Sequence, residues 1–123
     1  MLLAAYGLLG IAALLGTWLA VMHLRTDGAV APPWMLAALH GLVGVAGLGC
    51  LLLALQGPPR GLDRGTAGFG TIAAALIAAA AVLGAGFVAA RLRGRAPLGL
   101  MIVAHATLAV SGFVILTAYA LAG

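Results

Sequence analysis

Along the chain, four long apolar stretches alternate with three short breaks. The stretches cover about residues 2–24, 34–56, 67–90 and 97–121. Each has the roughly 20 residues that a helix needs to cross a hydrocarbon core. Inside that core a helix satisfies its own backbone polar groups, which an open segment cannot do. The breaks carry turn and stop residues. LRTDGAVAPP holds Arg25, Asp27, Gly28, Pro32 and Pro33; QGPPRGLDRG holds Pro58, Pro59, Arg60, Asp63 and Arg64; RLRGRAP holds Arg91, Arg93, Arg95 and Pro97. Proline at a helix start and Gly or Pro in a connection mark such boundaries. The pattern predicts an all-α fold, an integral membrane four-helix up-down bundle in one transmembrane domain, 1–123. Connections this short force neighbouring helices to run antiparallel. Both chain ends and the 57–66 connection then share one side of the membrane.

A second pattern lies over the first. AALLGTWLAVMHLR (12–25) lines up with AAVLGAGFVAARLR (80–93), placing Gly16 on Gly84, Leu24 on Leu92, Arg25 on Arg93 and His23 on Arg91. ALHGLVGVAG (38–47) lines up with VAHATLAVSG (103–112). There His40 falls on His105, Gly41 on Ala106, Gly44 on Ala109, Val45 on Val110 and Gly47 on Gly112. The bundle therefore reads as a duplicated hairpin. Both copies start from the same side, so an axis along the membrane normal would relate them, a parallel repeat.

Composition supports the membrane reading and narrows the chemistry. The chain is 65% hydrophobic and 7% charged, with a mean hydropathy of +1.25. A soluble domain of 123 residues could not hide so much apolar surface. Lysine, glutamate and asparagine are absent, and every Arg and Asp lies near a break. The net charge of +4 is thus a property of the connections. It suits anionic lipid headgroups or an acidic partner, and no basic patch large enough for nucleic acid exists. Arg25, Arg91, Arg93 and Arg95 lie on one side, against Arg60 and Arg64 on the other. The positive-inside rule places the larger group in the cytoplasm and both termini outside. Arginine without lysine, among abundant Ala, Gly and Leu, suggests a GC-rich bacterial genome and hence termini on the periplasmic side of a bacterial cytoplasmic membrane. The first stretch lacks a basic leader and is too long for a typical cleavable signal region.

Other polar residues are sparse. Cys50 stands alone, which excludes an internal disulfide and a cysteine-based metal cluster; it reads as a small apolar residue. Thr17, Thr107, Ser111 and Thr117 suit hydrogen bonds to helix carbonyls. Trp34 suits the membrane interface, and the deeper Trp18 suits packing. No Ser/His/Asp arrangement, paired carboxylate or phosphate-binding loop is present, which argues against hydrolysis and phosphoryl transfer. No acidic residue lies at depth, and no stretch is broken mid-membrane, features that transporters use.

The histidines remain. An ionisable residue within a membrane span is expensive and by default marks a functional site. His40 follows Pro33 by seven residues, and His105 follows Pro97 by eight. At 1.5 Å per residue both sit roughly 10–12 Å below the same surface. The second and fourth helices occupy diagonal corners of an up-down bundle and face each other across its core, where bundles build cofactor sites. Beneath His40 lie Gly44 and Gly47, and beneath His105 lie Ala109 and Gly112, on the same helix faces. Two facing imidazoles above a slot of small residues describe axial ligation of a haem iron.

This arrangement resembles, in general architecture, the transmembrane b-type cytochromes, whose helices carry haem-ligating histidines with glycine nearby. The resemblance covers two ten-residue stretches and the helix count. It implies one haem b with His40 and His105 as the metal ligands, and Gly44, Gly47, Ala109 and Gly112 lining the slot. Arg91 and Arg93 would then meet the haem propionates, because guanidinium pairs bidentately with carboxylate. His23, nearer the interface, would be a polar partner for a propionate or for a quinone, the second cofactor candidate. The expected function is a small electron-transfer subunit exchanging electrons with a quinone or a redox partner. Its partners would be the bilayer, other membrane or membrane-docked redox subunits, and a further copy of itself. The alternative is a haem-free accessory subunit, whose glycine faces are only packing surfaces.

Overall fold

The computed structural model describes residues 1–122 and contains four α-helices: α1 Leu2–Arg25, α2 Trp34–Ala54, α3 Phe69–Leu92 and α4 Gly99–Leu121. All four are long and apolar enough to span a membrane, and the chain is a multi-pass membrane protein. The helix bounds follow the hydropathy pattern to within two residues. α2 stops at Ala54 because Gln56, Gly57 and two prolines follow, and α3 starts at Phe69 after the turn through Thr66. At the end of α1, Gly28 N–H bonds His23 O at 3.0 Å and Asp27 N–H bonds Leu24 O at 3.3 Å. This double closure needs a left-handed residue, and Asp27 supplies it with φ 46°. α3 closes in the same way, with Arg95 N–H on Ala90 O at 2.9 Å and Gly94 at φ 65°.

The bundle is two hairpins. α1 packs extensively on α2, and α3 on α4; contact between hairpins, α1 with α4 and α2 with α3, is sparser. α2 and α4 are diagonal, as are α1 and α3. The outward faces are apolar: Leu3 is 85% exposed, Met35 83% and Leu100 80%. Such faces belong against lipid tails, where burial gives no hydrophobic gain and close van der Waals fit does the work.

The buried positions reveal the duplication more fully than the aligned segments do. In the first hairpin they are Ala5, Leu9, Ala12, Gly47 and Leu51. Carried across by the same alignment, these become Ala73, Ile77, Ala80, Gly112 and Leu116, all buried in the second hairpin. Leu51 and Leu116 are each fully buried. The glycine contacts match too. A Cβ on Gly47 would lie 2.8 Å from Leu9 Cγ, and one on Gly112 would lie 2.7 Å from Ile77 Cγ1. Leu9 and Ile77 are equivalent residues, so each hairpin is closed by the same glycine-on-aliphatic contact.

This corrects one expectation. Gly47 and Gly112 do not line an open slot; each admits the facing helix of its own hairpin. Gly44 lies likewise over Ala12, whose Cβ is 3.8 Å from where its own would be. The physical reason is that a small residue permits close approach by whatever is nearest, and here that is a helix. Gly47→Leu and Gly112→Leu should each destabilise the protein by a similar amount, about 1–3 kcal/mol from overpacking. Thermal unfolding in detergent measures this, and one variant unfolding like wild type would break the equivalence of the hairpins.

Candidate functional site

The site is built from the two deep histidines. His40 comes from the second turn of α2 and His105 from the second turn of α4, so each lies on a diagonal helix facing the bundle axis. Their ring centroids are 6.0 Å apart, with ring planes at 75°. Both side chains are half-buried. The sequence expectation that these two residues meet across the core holds in the geometry.

Each imidazole is anchored within its own hairpin. His40 Nδ1–H donates to Ala12 O at 2.9 Å, and His105 Nδ1–H donates to Ala80 O at 2.8 Å. A carbonyl only accepts, so Nδ1 must carry the proton. In the neutral form of such a ring Nε2 is then a bare lone pair. The carbonyls are reachable because glycine stands four residues on. The oxygen of Ala12 already accepts from Gly16 N–H in the helix ladder, and a side chain at 16 would crowd a second donor. A Cβ on Gly16 would lie 2.9 Å from His40 Cε1; the equivalent on Gly84 would lie 3.4 Å from His105 Cε1. Ala12, Gly16 and His40 thus repeat as Ala80, Gly84 and His105. The repeated AALLG and AAVLG carried this signal, but the alignment gave Gly16 and Gly84 no connection with the histidines.

The surroundings are less symmetric. Phe87 packs edgewise on His105, with centroids 5.3 Å apart, whereas its equivalent in the first hairpin is Leu19. Arg91 donates from Nη1 to Pro32 O at 2.9 Å, with its guanidinium carbon 5.2 Å from the Trp34 ring centroid. A cation over an indole is worth about 0.5–1 kcal/mol at an exposed site. Arg91 is therefore a clasp from the end of α3 to the start of α2, joining the hairpins. His23, its equivalent, lies instead over Gly28 of its own turn, where a Cβ would be 2.9 Å from Cε1. Arg93 is exposed, and its guanidinium makes no hydrogen bond among the described residues. His23, Arg91 and Arg93 share the bundle end nearest the histidines but form no direct contact with them.

Filling along the axis is uneven. Every buried helical residue lies level with the histidines or on the side of the chain termini. Toward the 26–33 and 93–98 connections no side chain is buried.

The donor set can be tested against possible occupants. Among the described residues no group of three or more His, Cys, Asp or Glu comes together. A bare zinc ion usually takes four ligands, so two imidazoles leave it under-coordinated. A porphyrin fills the equatorial positions and asks the protein for axial ligands only. His40 and His105 are the two imidazoles that could serve such a group; Gly47 and Gly112 do not supply its space. Set against protein-family models, curated proteins and solved structures, the chain matches none.

The glycine contacts predict an asymmetric response. Gly16→Ala should push His40 off Ala12 O and lose a hydrogen bond worth about 0.5–1.5 kcal/mol. Gly84→Ala, with more room, should largely keep its bond. Nitrogen NMR of histidine-labelled protein reads the outcome: Nδ1–H tautomers for both deep histidines in wild type, disturbed at His40 alone in Gly16→Ala. An Nε2–H tautomer in the wild-type protein would contradict the anchoring.

Proposed function

We propose that the protein is a membrane-embedded haem b subunit for electron transfer, with His40 and His105 as axial ligands. One observation carries the reading: two imidazoles on diagonal helices meet at 6.0 Å, each with Nδ1–H held by a backbone carbonyl. Metal-ligating histidines almost always donate their second ring nitrogen to a carboxylate, carbonyl or water, which fixes the tautomer and raises ligand basicity. When bound there, haem would supply one-electron chemistry. The chain's own residues hold the imidazoles and would tune their basicity through the carbonyls of Ala12 and Ala80. The loop-end half of the bundle holds no buried side chain, and a planar group would be sought on that side. Exposed Arg93 is the better candidate for a propionate, since Arg91 is engaged with Pro32 and Trp34.

The haem-free accessory reading keeps one specific support. Gly47 and Gly112 are spent on helix contact, and the histidines are already held without a cofactor. In that case the ring pair would only join the hairpins.

A reduced-minus-oxidised absorption spectrum of the purified membrane protein separates the readings. Low-spin b-type bands are expected in wild type and lost in His40→Ala and in His105→Ala. His23→Ala should leave them nearly unchanged, because His23 is folded over Gly28. Loss of the bands in His23→Ala alone would overturn the ligand assignment, and a colourless wild type reconstituted with haem would favour the accessory role.

A bacterial cytoplasmic membrane, with both termini on the periplasmic side, fits the four-against-two arginine distribution. Insertion is decided while all four loop arginines are free. A C-terminal reporter active only outside the cytoplasm should therefore be active; cytoplasmic activity would invert the topology and leave the ligand pair intact.

A further inference from the structure

The two hairpins are equivalent over most of their buried positions, so the places where they differ are informative. At the terminal end, Tyr119 of α4 lies against Gly70 of α3; a Cβ on that glycine would be 2.9 Å from Tyr119 Cε1 and Cζ. The equivalent positions in the first hairpin are Ala54 and Leu2. Large-on-small has become small-on-large. Leucine over alanine fills the same gap without a polar atom, so packing alone does not call for tyrosine.

Tyr119 is only 3% exposed, and its ring and Leu55 both pack over Gly70 of α3. Among the described residues its hydroxyl makes no hydrogen bond, yet no buried side-chain oxygen is sealed off without a partner. The hydroxyl therefore opens into a depression. Tyr119 lines a cavity of about 320 Å³ together with Leu2, Ala54, Pro58, Pro59 and Arg60. The charged side chain in its lining is the guanidinium of Arg60, and the fixed polar side chain is a phenol carried on a buried ring. Both donate. Prolines 58 and 59 have no N–H, so the donors come from the side chains.

We propose that this cavity binds a phosphate group, the headgroup phosphate of a membrane lipid being the natural source. Phosphate oxygens only accept, and Arg60 and Tyr119 offer charge-assisted donors. The cavity lies at the helix ends beside the 57–66 connection, at the level of lipid headgroups. Leu2, Ala54 and the prolines would face the glycerol and upper chain. The site is independent of the haem reading: along α4 it is fourteen residues from His105, roughly 21 Å at the helical rise.

Native mass spectrometry of the purified full-length protein, titrated with short-chain phosphatidylglycerol, tests the proposal. Wild type should retain one lipid at saturation. Tyr119→Phe keeps the ring over Gly70 and should weaken retention roughly tenfold, as loss of one hydrogen bond to a charged group implies. Arg60→Gln, at an exposed position, should weaken it at least as much, with unchanged thermal unfolding in both variants. Displacement by inorganic phosphate would show that the phosphate alone is recognised; lack of displacement, with the variant effects intact, would make the lipid the ligand. Equal retention of a short-chain diacylglycerol, or a Tyr119→Phe protein that binds like wild type, would overturn the assignment. So would displacement by a short-chain quinone but not by a second phospholipid.

Discussion

The hydrogen bond from each deep imidazole to an alanine carbonyl of its own hairpin constrains everything around it. In lipid, a ring N–H without an acceptor costs far more than in water. The carbonyls of Ala12 and Ala80 remove that cost at depth. Doing so demands close approach of a ring to a helix backbone, which demands glycine at 16 and room at 84. It also places a proton on Nδ1 and leaves Nε2 as the nitrogen not used within the hairpin. Packing, protonation and chemistry are thus set by one bond, made twice.

That bond is repeated because the hairpin is repeated, and a duplicated hairpin solves a problem of symmetry. Two copies related about the bundle axis bring two identical donors to that axis without any further device. The remaining contacts between hairpins are few. Tyr6 stacks on Phe113 with centroids 5.2 Å apart, and Arg91 clasps the loop end. Departures from symmetry include Arg91 against His23 and Tyr119 against Ala54 at the two ends, and Phe87 against Leu19 beside the histidines. Five buried positions of each hairpin keep the repeat, and the ends are free to differ where they meet water, headgroups or partners.

Much of this was legible in the sequence. Helix number, span and order followed from hydropathy and from Gly and Pro punctuation, because lipid leaves a chain few alternatives. The pairing of His40 with His105 followed from equal depth on parallel diagonal helices. The role of the small residues did not. Gly44, Gly47 and Gly112 lie on the histidine face, but a helix surface curves, and the nearest neighbour of that face is the sister helix. Hydropathy cannot tell a groove that receives a helix from one that receives a cofactor. The carbonyl anchors were invisible for another reason: a backbone acceptor has no residue type. Its trace was the glycine four positions on, which reads as packing until a side chain is seen above it.

The central claim is that two Nε2 lone pairs are presented together to one iron. Electron paramagnetic resonance of the oxidised, haem-loaded protein at low temperature reads the axial ligands directly. The expected result is a low-spin ferric signal of bis-imidazole type, at one haem per chain, converted to high-spin in His40→Ala and in His105→Ala alike. A high-spin signal in the wild-type protein, or a low-spin signal that survives loss of either histidine, would contradict it.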